Sequence, residues 1–306
     1  MRIGTVLAES GGLDALKGLA DQLRAAVDDG FSSAWLSNIF GLEALTALAV
    51  AGREVPGIEL GTAVVPSYPR HPAVLAQQAL TADLALGGRL TLGIGLSHQI
   101  VIQDMYGYSF ERPARHMREY LSVLLPLLAG EQASFDGATL HGHIGLTVPR
   151  SPRRVPVLLA ALAPRMLRLA GELADGTVLW MTGPATVRDY IVPSITAAAA
   201  VAGRPSPRVV CMLPVCVTDD PAQARADAAK AMAIYGQLPS YRAMLDKEGA
   251  AGPGDVAIVG HEDAVAEQIR ALAPAGVSDF VAAEYARGPD GPRTRALLRT
   301  LAAEFS

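Results

Sequence analysis

His98 is the residue best suited to acid–base chemistry in this sequence. It directly follows Gly93-Ile94-Gly95-Leu96-Ser97, the end of an apolar run, and an imidazole there can give or take a proton near neutral pH. The plainer reading is a structurally bonded loop histidine. His71 stands before Pro72 and suits capping or packing at a helix start. Gly93-Ile94-Gly95 resembles the opening of a dinucleotide fingerprint, but the third residue after Gly95 is His98, not glycine. Glycine that makes room for a ligand or a bulky neighbour explains the pair equally well. Ala161-Leu162-Ala163-Pro164-Arg165 joins a strand to a helix. Free amides at a helix start attract phosphate, and Arg165 adds charge. Pro164 lacks an amide, so the donors are Leu162, Ala163 and the residues after Pro164. Asp175-Gly176-Thr177 reads as a turn or as part of the same ligand site.

Other chemistries find little support. No Ser/His/Asp set, paired carboxylates, HExxH, CxxC or P-loop stands out. His141 and His143 can share one face of a strand, but a third ligand is not evident, so no metal is expected. Cys211 and Cys216 fall on opposite faces of a strand and read as buried thiols in a reducing compartment.

A repeating beat of strands and helices positions these turns. Apolar, β-branched runs at residues 3–7, 33–36, 58–65, 90–96, 155–160, 176–181, 209–217 and 278–282 predict eight strands. Each is nearly all apolar rather than alternating, the habit of parallel strands covered on both faces. Helical patterns at 13–29, 42–51, 72–85, 112–128, 164–174, 186–201, 221–234, 262–272 and 292–302 fill the intervals, with Pro193 expected to bend or split its helix. The expected fold is α/β, a (β/α)8 barrel of one domain over residues 1–306, with a doubly wound open sheet as runner-up. Insertions are expected after strand four, where residues 135–152 suggest a hairpin, and near residues 235–255. In such a barrel the chemistry gathers at the C-terminal strand ends. That selects Ala8, Glu9 and Ser10; Ser37 and Asn38; Ser67 and Tyr68; Ser97 and His98; and Leu162 to Arg165.

The chain has 306 residues, half of them apolar, enough for a large core. Lys plus Arg number 26 and Asp plus Glu 30, a formal charge of -4, which provides no field to gather nucleic acid or anionic lipid. Glu9 interrupts the first apolar run, so it reads as a strand rather than a signal peptide, and no segment is long enough to span a membrane. A soluble, cytoplasmic protein is expected. The mean hydropathy of +0.27 fits a chain that also buries surface against a partner copy.

The collected residues resemble the luciferase-like flavin and deazaflavin oxidoreductase family, most closely its coenzyme F420-dependent branch. One block runs Leu60-Gly61-Thr62-Ala63-Val64-Val65-Pro66, Arg70-His71-Pro72-Ala73-Val74-Leu75-Ala76-Gln77-Gln78, Thr81-Ala82-Asp83, Gly88-Arg89-Leu90 and Leu92-Gly93-Ile94-Gly95. A second runs from Ala160 to Gly176, and a looser third from Val259-Gly260 to Gly276-Val277. The resemblance implies a barrel that holds a deazaflavin at its C-terminal mouth, and a homodimer. It also implies a non-proline cis peptide at Ala63–Val64, a bulge behind the cofactor's central ring. Asn38, Ala63, Val64, Val65, Leu96, Ser97, His98, Ala161, Leu162, Ala163, Arg165, Gly176 and Thr177 are then the expected cofactor contacts. The start of the second block matches the phosphate-holding region. Alcohol-oxidising relatives carry Asp-His at the end of strand two, where this sequence has Asn38-Ile39, and an acid at the end of strand four, where it has His98.

The implied reaction is hydride transfer between F420 and a small, uncharged, partly hydrophobic substrate, with His98 and Asn38 as the catalytic candidates. The open direction is reduction of an activated double bond or carbonyl, His98 supplying the proton. Two alternatives stand beside it: an FMN-dependent monooxygenase of the same family, and a non-catalytic barrel that binds F420 or flavin.

Overall fold

The computed structural model describes residues 1–9 and 11–306, and Ser10 lies outside the described residues. Eight parallel strands close into a barrel: β1 (Arg2–Val6), β2 (Ser33–Leu36), β3 (Glu59–Thr62), β4 (Leu90–Gly95), β5 (Val157–Ala160), β6 (Gly176–Trp180), β7 (Arg208–Val217) and β8 (Asp279–Glu284). Each pairs with the next, and β8 returns to β1 in the register Arg2 to Asp279. The open sheet is therefore excluded. β2 and β4 are buried along their whole length, as expected of strands covered on both faces.

Inward-pointing side chains form a small inner core of Trp35, Leu158, Val178, Val210, Met212 and Val281. The much larger outer core lies between the strands and the surrounding helices, α1 (Ala15–Asp28), α2 (Ala44–Gly52), α3 (Pro72–Ala85), α4 (Pro113–Ala129) and α5 (Pro164–Glu172) among them. Local capping fixes where these helices start. Glu43 caps α2 by accepting from the amides of Leu45 and Thr46. His71 caps α3 through Nδ1, which accepts from Ala73 N, so its Nε2 donates to the carbonyl of His141 at 3.0 Å. The capping role read from His71-Pro72 is thus the observed one.

Both insertions are present. Ala133–Asp136 and His141–Ile144 pair as an antiparallel hairpin, and the Glu119 carboxylate of α4 accepts from the amides of Ala138, Thr139 and Leu140 at its turn. His141 and His143 share a side of their strand and both reach Asp136. The second insertion forms two short helices, Ala233–Gln237 and Pro239–Glu248. The helix expected around Pro193 is split: a short turn and a π-helical segment, Val187–Ile191, precede Val192–Val201. β7 is long, and its upper half also pairs with Ile258–Gly260. Cys211 and Cys216 point to different sides of β7, and both are buried; burial pushes the Cys211 thiol up to about 12. Among the described residues, no helix is long and apolar enough to cross a membrane.

A polar plug closes the N-terminal end of the barrel. Arg208 bonds both Asp279 oxygens at 2.8 and 2.9 Å and Glu59 at 2.6 Å, and Arg2 bonds Glu59 at 2.9 Å. With that end sealed, only the C-terminal end can admit a ligand.

Candidate active site

The turns selected from the sequence converge on one mouth. Asn38, Val64, His98 and Leu162 follow β2, β3, β4 and β5, which are consecutive neighbours in the barrel. Ala63–Val64 is a cis peptide. Val64 packs, with Ala63, Val6 and Trp180, on top of the inner core. Its side chain occupies the space that Gly93 and Gly95 leave free. A Cβ on Gly95 would sit 2.7 Å from Val64 Cγ2 and 3.1 Å from Ala160 Cβ, and one on Gly93 would clash with the Thr62 carbonyl. Gly93-Ile94-Gly95 is thus a notch for a bulky neighbour rather than a dinucleotide turn. Ala63, Val64, Ala160, Leu162 and Trp180 are only half-buried, so solvent reaches this apolar floor.

The polar residues around the floor are held differently from one another. Asn38 Oδ1 accepts from Ala44 N at 3.0 Å, which fixes the amide and leaves its NH2 group to donate elsewhere. Ser97 has a left-handed backbone, φ 59°, and Met181, just past β6, does likewise at 53°. Non-glycine residues in that region concentrate at functional sites. Burial lowers the His98 pKa below its ordinary 6.5, so its ring is neutral at pH 7. The imidazole therefore offers one N–H and one lone pair, and is a proton acceptor before it is an acid. Leu162 has its carbonyl bound by the Tyr190 hydroxyl at 3.0 Å, while Ala163 and Arg165 are exposed at the start of α5. Lys247 Nζ lies 4.4 Å above the Tyr190 ring, a second cation beside that turn.

One pair of expected contacts needs correction. Gly176 and Thr177 do not face the mouth. They open β6 at the sealed end, where Gly176 packs against the Arg208 backbone and the Thr177 hydroxyl, fully buried, donates to Leu159 O. Val65 and Ala161 lie at the mouth but are buried, so any contact from them is through the backbone. Tyr68, after strand three, is stacked on His116 with centroids 3.9 Å apart and its hydroxyl buried. Ile39 and Phe40 are exposed at the rim, at 60% and 63%. Trp180, Tyr235, Tyr241 and Lys247 were not singled out from the sequence. Trp180 had a signal, the inward-facing end of the sixth apolar run; the insertion's residues had none, because nothing in their spacing says which way that segment folds.

A family model described as luciferase-like monooxygenase matches residues 2–279. The chain belongs to the luciferase-like monooxygenase family. Its luciferase-like relatives are enzymes, and so is this protein. It is 28% identical over 222 residues to a 5,10-methylenetetrahydromethanopterin reductase of Methanolobus tindarius, covering 72% of this chain and 67% of the relative. It is 28% identical over 232 residues to a putative coenzyme F420-dependent oxidoreductase of Mycobacterium tuberculosis, covering 71% and 67%. The fold matches the coenzyme F420 dependent tetrahydromethanopterin reductase from Methanopyrus kandleri with a TM-score of 0.82 at 23% identity, over 99% of both chains. Two clefts of about 320 and 170 Å³ lie at the sealed end, the second lined by Asp83, Arg150, Arg153 and Arg154.

Proposed function

We propose that this protein is an F420-dependent oxidoreductase acting on a small, uncharged, partly hydrophobic substrate. The observation that carries the reading is the half-exposed Ala63–Val64 floor, seated on Gly93 and Gly95 and bordered by His98 on one side and the Leu162 turn on the other. An apolar, flat floor with polar donors only at its edge suits a tricyclic ring whose polar atoms lie on its rim. The buried Trp180 Nε1, which meets no acceptor in full hydrogen-bond geometry and has only Tyr235 beside it, supports a ligand in the mouth. The two curated relatives above support the choice of an oxidoreductase, and the second that of F420.

The deazaflavin, when bound, supplies or accepts the hydride. The protein's part is placement and proton handling. Ala63 and Val64 would support the ring, with Val65 and Leu96 behind them. The Asn38 NH2 group and the Ser97 hydroxyl would bond its polar edge. The backbone at Ala161, Leu162 and Ala163, with Arg165 and Lys247, would hold the phosphate. His98, neutral at pH 7, would donate its N–H to a substrate oxygen in reduction and take a proton in oxidation.

Parallel titration of the apoprotein with F420 and FMN tests the cofactor. Micromolar binding of F420 with much weaker FMN is expected; the reverse would establish the monooxygenase reading, and F420 binding without turnover on any substrate the non-catalytic one. In His98→Ala, kcat is expected to fall about 100-fold with the F420 affinity retained. An unchanged kcat would remove His98 from the chemistry. We also propose a homodimer, supported by Val50, Val74 and Leu84, which leave apolar side chains exposed on the adjacent helices α2 and α3. Light scattering is expected to give twice the chain mass; a monomer would refute it.

A further inference from the structure

The second insertion brings aromatic rings over the mouth. Tyr241 lies 5.7 Å from His98 between ring centroids, Tyr235 lies 5.0 Å from Tyr241 at 80°, and Trp180 lies 5.9 Å from Tyr235 at 73°. Four rings thus form an unbroken chain from the end of β4 to the end of β6, spanning the turn after β5. Trp180 rests on the same inner core as Val64, so one end of this chain meets the floor. Tyr235 stands edge-on to both Tyr241 and Trp180, and His98 is tilted at 53° to Tyr241, which makes the chain a wall rather than a stack.

The wall carries no formal charge. Most charged residues of the insertion are engaged elsewhere: Arg242 bonds Asp246 and the carbonyls of Ala250 and Ala251, and Glu248 accepts from the amides of Ala185 and Thr186, while Lys247 lies over Tyr190 beside the turn proposed for the phosphate. His98 is kept neutral by burial, and burial also raises the pKa values of Tyr235 and Tyr241, so both phenols stay protonated. The wall's own donors are the His98 N–H, the two phenol hydroxyls and the buried Nε1 of Trp180, which lies beside Tyr235.

We propose that the substrate compartment is selective for a planar, uncharged, aromatic or conjugated molecule bearing a carbonyl-type acceptor, recognised by the wall of Trp180, Tyr235, Tyr241 and His98. A flat π-system gains face and edge contacts from such a wall that a saturated skeleton of equal size cannot. An uncharged molecule avoids stranding an ion where no counter-charge faces it. The carbonyl oxygen would accept from one of these donors. This assignment rests on the reading of the mouth as the redox site, yet it is separable from it.

Calorimetry with 1-tetralone and 1-decalone, which share a ten-carbon bicyclic ketone skeleton, tests the inference on the cofactor-loaded and cofactor-free protein. Tetralone is expected to bind about tenfold more tightly than decalone. Tyr235→Leu with Tyr241→Leu is expected to abolish that preference, and Tyr235→Phe with Tyr241→Phe to keep it. Circular dichroism confirms that each variant is folded. Equal affinities, no binding of either ketone, or a preference that survives the leucine pair would overturn the proposal. F420 titration alongside separates the two readings. Tetralone preference without F420 binding would sink the cofactor assignment alone, and F420 binding without the preference would sink the aromatic compartment alone.

Discussion

Arg208→Met is expected to destabilise the barrel by about 3–5 kcal/mol, the cost of leaving buried carboxylates without their cation. The guanidinium makes three bonds, two to Asp279 and one to Glu59, at the sealed end of the barrel. The Asp279 and Glu59 side chains are 2% and 11% exposed, so water cannot replace the lost donor. Arg2 still bonds both acids, Glu59 at 2.9 Å and Asp279 at 2.5 Å, but its side chain is 42% exposed and it replaces only part of the three bonds lost. Burial alone would raise the Glu59 pKa; the Arg208 charge, the Thr91 hydroxyl at 2.6 Å and Arg2 outweigh it and hold the carboxyl at about 2. A depressed carboxyl contributes stability that is complete above its unfolded pKa and is lost as pH falls through the folded value. Wild-type protein therefore holds the Glu59 contribution in full above about 4.5 and loses it progressively from there toward 2. With the Arg208 charge gone the folded-state pKa rises toward 4.5 or above, so the variant should lack most of this contribution at pH 7 and its stability should fall less on acidification. Urea denaturation at pH 7 and pH 4 measures both effects. Adding Glu59→Gln to Arg208→Met should recover part of the loss by removing one stranded charge. A destabilisation within about 1 kcal/mol of zero, the scale of an exposed ion pair, would show that the plug is not desolvated.

The plug also marks where sequence reasoning stopped. All eight barrel strands were legible because each is a short β-branched run bounded by glycine, proline or polar turns, and buried parallel strands carry that signal in one dimension. The order of the turns then fixed the site: once the barrel is closed, Asn38, Val64, His98 and Leu162 have to meet. Arg2, Glu59, Arg208 and Asp279 gave no such signal, because they stand up to 277 residues apart, from Arg2 to Asp279, and are joined only when β8 closes on β1. Gly176 and Thr177 failed for a related reason. The turn before a strand and the turn after it look alike in composition, yet they lie at opposite ends of the barrel, and only the second kind faces the mouth. Trp180 is the same strand's other end. Tyr235 and Tyr241 belong to an insertion, whose direction is set by tertiary packing against β4 and β6 and not by any local pattern.

Wild-type protein is expected to lose on the order of 3 kcal/mol of stability between pH 6.5 and pH 4 through His116 alone. His116 is 8% exposed, its Nε2 lies 3.0 Å from the Ser67 hydroxyl, and its ring stacks on Tyr68 at an interplanar angle of 7°. Burial drives its pKa from 6.5 to about 4, only partly opposed by the Glu119 carboxylate one turn later on α4. The unfolded chain binds a proton across that window and the folded chain does not, so stability rises with pH from 4 to 6.5 and is level above. His98 adds a contribution of the same sign, because burial lowers its pKa too. The two are told apart by substitution. His116→Gln keeps a side chain able to bond Ser67 but cannot take up a proton in this range. Its urea midpoint is expected to sit below wild type at pH 7, through the lost stacking on Tyr68, and to fall less steeply from pH 7 to pH 5. His98→Ala should remove only the smaller share. Parallel slopes for wild type and His116→Gln would mean that the imidazole is protonated in the folded protein without penalty, and that the Ser67–His116–Tyr68 packing beside the mouth is wetter than its burial implies.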